Sequence, residues 1–189
     1  MTPMKSPRDL GLSLDVDIRP YAVNDAPAVW EAARESLREL QPWMPWCHPA
    51  YSLDESRSWL ELQVRAFEQG AAFEFAIVSA DGKYLGACGL NQIDALNHRA
   101  NLGYWVRTSA SGRGVATHAV RSLRDWAFRN TDLLRLEVVI AVGNIASQRV
   151  AEKSGARREG VLKHRLFLHG VAHDAMMFSF TRESPDTIR

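Results

Sequence analysis

Ser111-Gly112-Arg113-Gly114-Val115-Ala116-Thr117 joins a predicted strand at 101–107 to a predicted helix that extends to about residue 129. Such a turn leaves several backbone N–H groups at the helix start without partners inside the helix. Those donors and the positive end of the helix dipole form an anion site that suits phosphate above all. Gly112 and Gly114 carry no Cβ, so the backbone can approach a phosphate closely.

Outward from this turn, the hydrophobic pattern predicts a single domain that mixes strands and helices. The stretch 134–142 is almost continuously apolar, which is typical of a strand buried on both faces. The predicted order is β-α-α-β-β-β-α-β-α-β-β, with strands at 14–19, 72–79, 84–93, 99–107, 134–142, 156–168 and 171–181, and helices near 25–40, 54–69, 112–129 and 144–155. We therefore predict an α/β (α+β) domain at 13–182, with helices on both faces of a mixed sheet and tails at 1–12 and 183–189.

The composition carries no signature of a nucleic-acid or membrane protein. The 189 residues are 46% hydrophobic and have a formal net charge of +1. No apolar run approaches the roughly 18 residues that span a bilayer, and the polar start at 1–9 lacks the apolar core of a signal peptide. Cys47 and Cys88 are therefore expected as reduced thiols in the cytoplasm. His169 and His173 fall in a hairpin turn, so we expect no metal site there.

Four segments, taken in order, carry a family pattern. They are Gly103-Tyr104-Trp105-Val106, the loop Gly112-Arg113-Gly114-Val115-Ala116-Thr117, Asn144-Ile145-Ala146-Ser147 with Glu152-Lys153-Ser154-Gly155-Ala156, and Gly170-Val171-Ala172-His173-Asp174. In this order and spacing they resemble the GCN5-related N-acetyltransferase (GNAT) superfamily, and within it the RimJ/RimL-like branch that acetylates ribosomal-protein N-termini. Three positions depart from the pattern. Ser111 replaces a frequent Gln or Arg, Asn101 replaces an acidic residue, and Ala156 replaces an aromatic one.

The resemblance implies a GNAT-like, mostly antiparallel seven-stranded sheet in which strands 4 and 5 splay apart. It also implies acetyl-CoA as the cosubstrate, without a metal. The residues of the loop that would hold the pyrophosphate are Gly112, Arg113, Gly114, Val115, Ala116 and Thr117. The alternative for Arg113 is a solvated cation in the loop that contacts no phosphate. The pantetheine arm would lie in the splay against the backbone of Tyr104, Val106 and Arg107, with the Val106 N–H facing the thioester oxygen.

The helix after the fifth strand is implied to complete the cofactor site. Asn144 would hydrogen-bond the pantetheine, and Ser147 would protonate the departing thiolate. Each also suits a purely structural role, Asn144 as a helix N-cap and Ser147 as a residue of the first helical turn.

The acceptor amine must lose a proton, and Glu137 is the carboxylate that we expect to take it. It lies in an otherwise apolar strand, where burial raises a carboxyl pKa. Two alternatives stay open. Glu137 pairs with Arg135 or Arg99 at the strand end, or a water chain removes the proton while proximity supplies most of the rate.

An aromatic segment between the first two predicted helices is the candidate acceptor site. Trp43, Trp46, His48 and Tyr51 lie in a proline-rich stretch that walls the acceptor pocket in the family. An aromatic wall suits a peptide N-terminus or an amine with an apolar body. The alternative is that both tryptophans only hold the two helices together.

The residues therefore predict a cytoplasmic, acetyl-CoA-dependent N-acetyltransferase that works by direct attack in a ternary complex. The leading acceptor is a protein N-terminal α-amine of the ribosomal-protein type. The second is a small amine, such as a polyamine, an amino-acid-like toxin or an aminoglycoside, for which the candidate acidic groups are Glu35, Glu39, Asp54 and Glu55. A polycation needs such acids clustered at the pocket.

Two alternative functions lie outside catalysis by a GNAT enzyme. A non-catalytic acyl-CoA-binding module is compatible with the departures at Ser111 and Asn101. A dinucleotide-binding fold is disfavoured because Thr117 occupies the third glycine position of the fingerprint, and no Gly-Lys-Ser/Thr marks a P-loop. The final hairpin is a candidate contact for a homodimer.

Overall fold

The computed structural model describes residues 15–182, and the seven predicted strands are confirmed there. They are β1 (Val16–Pro20), β2 (Phe73–Ser79), β3 (Tyr84–Asp94), β4 (Arg99–Val106), β5 (Arg135–Ala141), β6 (Arg157–Leu168) and β7 (Val171–Thr181). The helices are α1 (Ala26–Glu35), α2 (Leu37–Leu40), α3 (Leu53–Glu68), α4 (Val115–Asn130) and α5 (Ile145–Ser154). The predicted tails, and residues 13 and 14, lie outside the described residues.

The strands form one sheet in the order β1-β2-β3-β4-β5-β7-β6. Every neighbouring pair is antiparallel except β4 and β5, which are parallel. This confirms the predicted fold class, a mixed and mostly antiparallel seven-stranded sheet.

The parallel pair separates soon after it forms. Its register covers only Arg99↔Arg135, Ala100↔Leu136 and Asn101↔Glu137. Beyond Asn101, β4 stays paired with β3 as far as Val106, and β5 stays paired with β7 as far as Ala141. Each strand therefore loses a partner on the side that faces the other. A gap opens between them, with backbone N–H and C=O groups along its edges.

The first predicted helix is in fact two helices, α1 and α2, which break at Ser36. Ser36 is fully buried, and its Oγ accepts a hydrogen bond of 2.9 Å from the Thr108 N–H in the loop after β4. Short polar side chains that bond to backbone elsewhere interrupt helices readily. The break therefore ties the helical layer to the loop that leads into α4.

Helices cover both faces of the sheet. On one face the α4 residues Val115, Ala119, Val120, Leu123 and Ala127 are buried in the larger core cluster, which α5 also joins. On the other face α1 and α3 pack over a smaller cluster that contains Val29, Leu60, Ala76 and Ala87. Among residues 15–182, no helix combines the length and apolarity that crossing a membrane requires.

Candidate active site

The gap edge of β4 is formed by Tyr104 and Val106. The Arg107 N–H donates to the Leu85 carbonyl at 2.8 Å, which makes these two a hydrogen-bonded pair of the β3–β4 ladder. Successive residues of an antiparallel strand direct their N–H and C=O to opposite sides. The non-hydrogen-bonded pairs of this ladder are therefore Gly86 with Val106 and Cys88 with Tyr104. The backbone groups of Tyr104 and Val106 point away from β3, into the gap.

Arg107 is bonded inside the protein instead. Its carbonyl accepts from the Ala110 N–H at 2.9 Å, so both of its backbone groups have protein partners. Arg107 is only 6% exposed, and its guanidinium forms ion pairs with Glu31 (2.7 Å) and Glu35. The arginine therefore fastens α1 to the end of β4, and we do not retain it as a contact for a ligand in the gap.

The glycine-rich loop forms an open helix N-terminus at one end of the gap. Gly112 and Gly114 have φ values of +74° and +85°, and Gly114 is the N-cap of α4 without a side-chain hydrogen bond. The side chains of Val115 and Ala116 are buried, whereas Arg113 is exposed. The first helical turn is thus anchored by its apolar side chains while its N–H groups face outward, an arrangement that attracts anions. Thr117, half-buried, completes that turn.

The start of α5 lies across the gap from β4. The Asn144 side chain caps the helix by accepting from the Ser147 N–H at 3.1 Å. The Tyr104 hydroxyl donates to the Ser147 carbonyl at 2.9 Å and lies 3.0 Å from the Ser147 Oγ. Burial raises the pKa of Tyr104 to about 12, so the hydroxyl stays protonated. The structure thus brings together three of the predicted residues at the gap.

Glu137 lies in an ion-pair network. Its carboxylate lies 2.8 Å from the Arg135 Nε and 3.4 Å from the nearest Arg99 nitrogen. Arg135 in turn pairs with Glu159 at 2.5 Å. Both arginines named in the alternative interpretation are therefore its partners. Glu137 does not line the cavity described below.

The four predicted aromatic-segment residues line one cavity of about 700 Å³ on the α1/α3 face. The Trp46 ring centroid is 5.4 Å from that of Tyr51 and 5.6 Å from that of Trp105. His48 pairs with Glu55 at 3.0 Å on the rim. The Trp43 ring is so close to Gly143 that an added Cβ there would be 3.2 Å from it. The aromatic segment therefore covers the turn that follows β5.

The cavity also contains Glu74 of β2, which the sequence analysis missed. Burial raises the pKa of Glu74 to about 7, and a hydrogen bond from Asn91 partly offsets that shift. The Asn91 Nδ2 donates to the carboxyl at 3.3 Å, and the Asn101 Nδ2 donates to the Asn91 Oδ1 at 2.9 Å. The sequence did contain one sign of this residue, a single carboxylate between Phe73 and Phe75 in a predicted strand. An alternating strand gives no sign that its polar face lines a cavity.

The family model described as "Acetyltransferase (GNAT) domain" matches residues 15–157, and the chain belongs to this family. It is 26% identical over 168 residues to the ribosomal-protein-serine acetyltransferase of Escherichia coli (strain K12), covering 89% of this chain and 93% of that protein. It is 34% identical over 102 residues to the putative ribosomal N-acetyltransferase YdaF of Bacillus subtilis (strain 168), and this match covers 54% of this chain and 56% of YdaF.

A solved structure supports the same assignment. The ribosomal L7/L12 α-N-protein acetyltransferase RimL in complex with coenzyme A superimposes with a TM-score of 0.81 at 25% identity. The alignment covers 91% of this chain and 97% of that one. The protein is therefore an acyltransferase of the GNAT type.

Proposed function

We propose that the protein transfers the acetyl group of acetyl-CoA to the α-amine at a protein N-terminus, of the ribosomal-protein type, by direct attack in a ternary complex. The observation that carries the proposal is the gap between β4 and β5. The open N-terminus of α4 lies at one end of this gap, and the aromatic cavity reaches its edge at Gly103 and Tyr104. The relatives that act on ribosomal proteins support this acceptor class.

The residues at the gap fit acetyl-CoA. The outward N–H groups from Gly112 to Thr117 suit the pyrophosphate, because a helix N-terminus favours a dianionic ligand. The gap-facing backbone of Tyr104 and Val106 suits the amide groups of the pantetheine, which can pair with a strand edge. Asn144 lies where its amide nitrogen remains available to the same arm, since its Oδ1 is the cap.

The remaining residues act on the reacting groups. When bound, acetyl-CoA supplies the acetyl group as a reactive thioester. In this proposal the Val106 N–H, which faces the gap, stabilises negative charge on the thioester oxygen, an effect worth about 3–4 kcal/mol where one such donor has been removed. Ser147, which is bonded to Asn144 and Tyr104, donates a proton to the departing sulfur in this proposal.

The charges of the cavity favour an acceptor with one positive charge over a polyamine. Of the acids considered for a polycation, Glu35 binds Arg107, Glu39 accepts from Thr108, Asp54 binds Arg57, and Glu55 binds His48. Within the described chain, Glu55 and Glu74 are the carboxylates that line the cavity. Glu55 is exposed and hydrogen-bonded to His48 on the rim, whereas Glu74 lies inside the cavity and is bonded to the neutral amide of Asn91, so within the described chain the interior of the cavity offers one carboxylate to one ammonium group.

The test is a thiol-release assay with acetyl-CoA against three panels of amines. These are peptides that begin with Ser or Ala and match ribosomal-protein N-termini, the polyamines, and the aminoglycosides. We expect the highest kcat/KM with a peptide, and mass spectrometry should locate the acetyl group on its α-nitrogen. Faster turnover of a polyamine or aminoglycoside would overturn the assignment of a protein N-terminus as the acceptor. Binding of acetyl-CoA without thiol release on any amine would favour a non-catalytic module.

A further inference from the structure

A row of three residues crosses the sheet from β2 to the strand that borders the gap. Glu74 of β2 is paired with Gly89 of β3, and Gly89 is paired with Gly103 of β4. Directly paired residues of neighbouring strands project on the same face. Glu74 is thus the single side chain in a row that otherwise consists of glycines, and the row ends at the strand that borders the gap.

The glycines decide where the carboxyl lies. A Cβ added to Gly89 would be 1.9 Å from the Glu74 Oε2 and 2.6 Å from the Oε1, so the carboxyl occupies the space above Gly89. A Cβ added to Gly103 would meet nothing within 4 Å, so the space above Gly103 is open. Adjacent strands are about 4.8 Å apart. A nitrogen held above Gly103 is therefore within reach of the carboxyl, directly or through one water.

Neutral side chains hold the carboxyl in this position. Asn101 donates to Asn91, and Asn91 donates to the Glu74 Oε1, so a chain of two amides crosses from β4 to β2. Within the described chain no hydrogen bond reaches the Oε2. Glu137, in contrast, is bonded to two arginines. Glu74 has an oxygen free to accept a proton and no cation to oppose protonation.

We propose that Glu74 is the general base that takes the proton of the acceptor ammonium group, with Asn91 and Asn101 as positioning residues. The inference rests on the proposed acetyl transfer. One proton passes from the R–NH₃⁺ group to the Glu74 carboxylate. The freed nitrogen lone pair then forms the C–N bond to the thioester carbon, and the C–S bond breaks. The thiolate takes the second proton that the nitrogen loses, by way of Ser147, and Glu74 releases its own proton to solvent.

The electrostatic surroundings suit this role. The titratable groups around Glu74 are Tyr21 after β1 and Cys88 of β3, with Tyr104 of β4 and the His48–Glu55 pair at the cavity walls. Burial raises the pKa of Tyr21 and of Cys88, and the charge of Glu74 adds to both shifts. Both groups are therefore neutral at pH 7. With its own pKa at about 7, Glu74 is matched to accept a proton near neutrality.

The test compares wild type with Glu74→Gln, using the best acceptor from the panels. We expect Glu74→Gln to lower kcat at pH 7 by about 100-fold or more, since general bases contribute on this scale. The dissociation constant for acetyl-CoA, measured by calorimetry, should stay within about twofold. The acid limb of the wild-type pH–rate profile, near pH 7, should disappear in the variant. Glu61→Gln on the exposed face of α3 is the matched control and should retain wild-type kcat.

Two outcomes overturn the inference while leaving acetyl transfer intact. One is a Glu74→Gln enzyme that keeps wild-type kcat and the same acid limb. The other is loss of the acid limb in Glu137→Gln rather than in Glu74→Gln. Failure of the proposed function is distinct, because the wild type itself would then release no thiol on any amine.

A second pair of measurements does not depend on a stable Glu74 variant. Asn91→Ala removes the hydrogen bond that lowers the Glu74 pKa, so the acid limb should move to higher pH. Carbon-13 NMR of the side-chain carboxyls in the ligand-free protein should show one glutamate that titrates near pH 7 and moves upward in Asn91→Ala. The absence of any glutamate carboxyl that titrates between pH 6 and 8 would overturn the inference.

Discussion

Gly114 places its backbone in the left-handed region, with φ of +85°, directly before the first turn of α4. Gly114→Asp should weaken acetyl-CoA binding at least about tenfold relative to Gly114→Asn, or about 1.4 kcal/mol. The two side chains have nearly the same shape and tolerate positive φ similarly. The comparison therefore isolates the negative charge placed beside the pyrophosphate. Calorimetric titration measures it, and equal affinities in the two variants would refute the loop assignment.

Replacing Ser147 tests the role of its hydroxyl alone, because two hydrogen bonds of the Ser147 backbone do not involve the side chain. In Ser147→Ala, the N–H bond to Asn144 and the carbonyl bond from Tyr104 both remain. We expect kcat to fall about tenfold, the low end for proton transfer, because the departing thiolate is already a good leaving group. Acetyl-CoA affinity should change little. Unchanged kcat at saturating substrates would leave Ser147 with a structural role only.

At the scale of elements, Arg107 joins α1 and the start of β3 to the end of β4. Glu31 and Glu35 come from α1, and the Arg107 guanidinium also donates to the Tyr84 carbonyl at 3.2 Å. Arg107→Met should destabilise the protein by about 3 kcal/mol, since it leaves two carboxylates without their cation. Urea denaturation measures the change. Arg38→Met, on an exposed position of α2, is the control and should shift stability by less than about 0.5 kcal/mol.

The same contact gives the fold a pH dependence. The hydrogen bond from Arg107 lowers the pKa of Glu35 to about 2, from an ordinary value of 4.5. A depressed folded-state pKa contributes stability that is complete above about pH 4.5 and is lost as the pH falls towards 2. Wild type should therefore be more stable than Glu35→Gln at pH 6, and the difference should narrow at pH 3. A difference that stays constant between these pH values would contradict the assignment.

For the whole molecule, a ligand that binds only the folded state raises its stability by mass action. Acetyl-CoA at 100 times its Kd should add about 2.7 kcal/mol, and a protein of this size should then gain roughly 5–10 °C in Tm. Thermal denaturation followed by circular dichroism measures this shift. Gly114→Asp should gain measurably less at the same acetyl-CoA concentration. An identical shift in Gly114→Asp would place the cofactor away from the α4 loop.

The elements and the family were predictable because their signals are local. Alternation in a strand, the glycines of the α4 loop and the Asn144 cap each depend on residues within a few positions of one another. The break at Ser36 was not predictable, because it depends on a bond to Thr108 on the far side of the domain. Glu137 likewise has a partner, Arg99, that reaches it only through the pairing of β4 with β5.

The order of residues thus specified the seven strands, the glycine-rich loop before α4 and the membership of an acetyltransferase family. The position of the carboxylate that we propose as the base depended on folding. Glu74 lies in one row with Gly89 and Gly103 only through the register of three strands. It lines a cavity only because α1, α3 and the aromatic segment cover that face. Strand register and the covering of a face are long-range packing outcomes, which a pattern of period two within one strand does not encode.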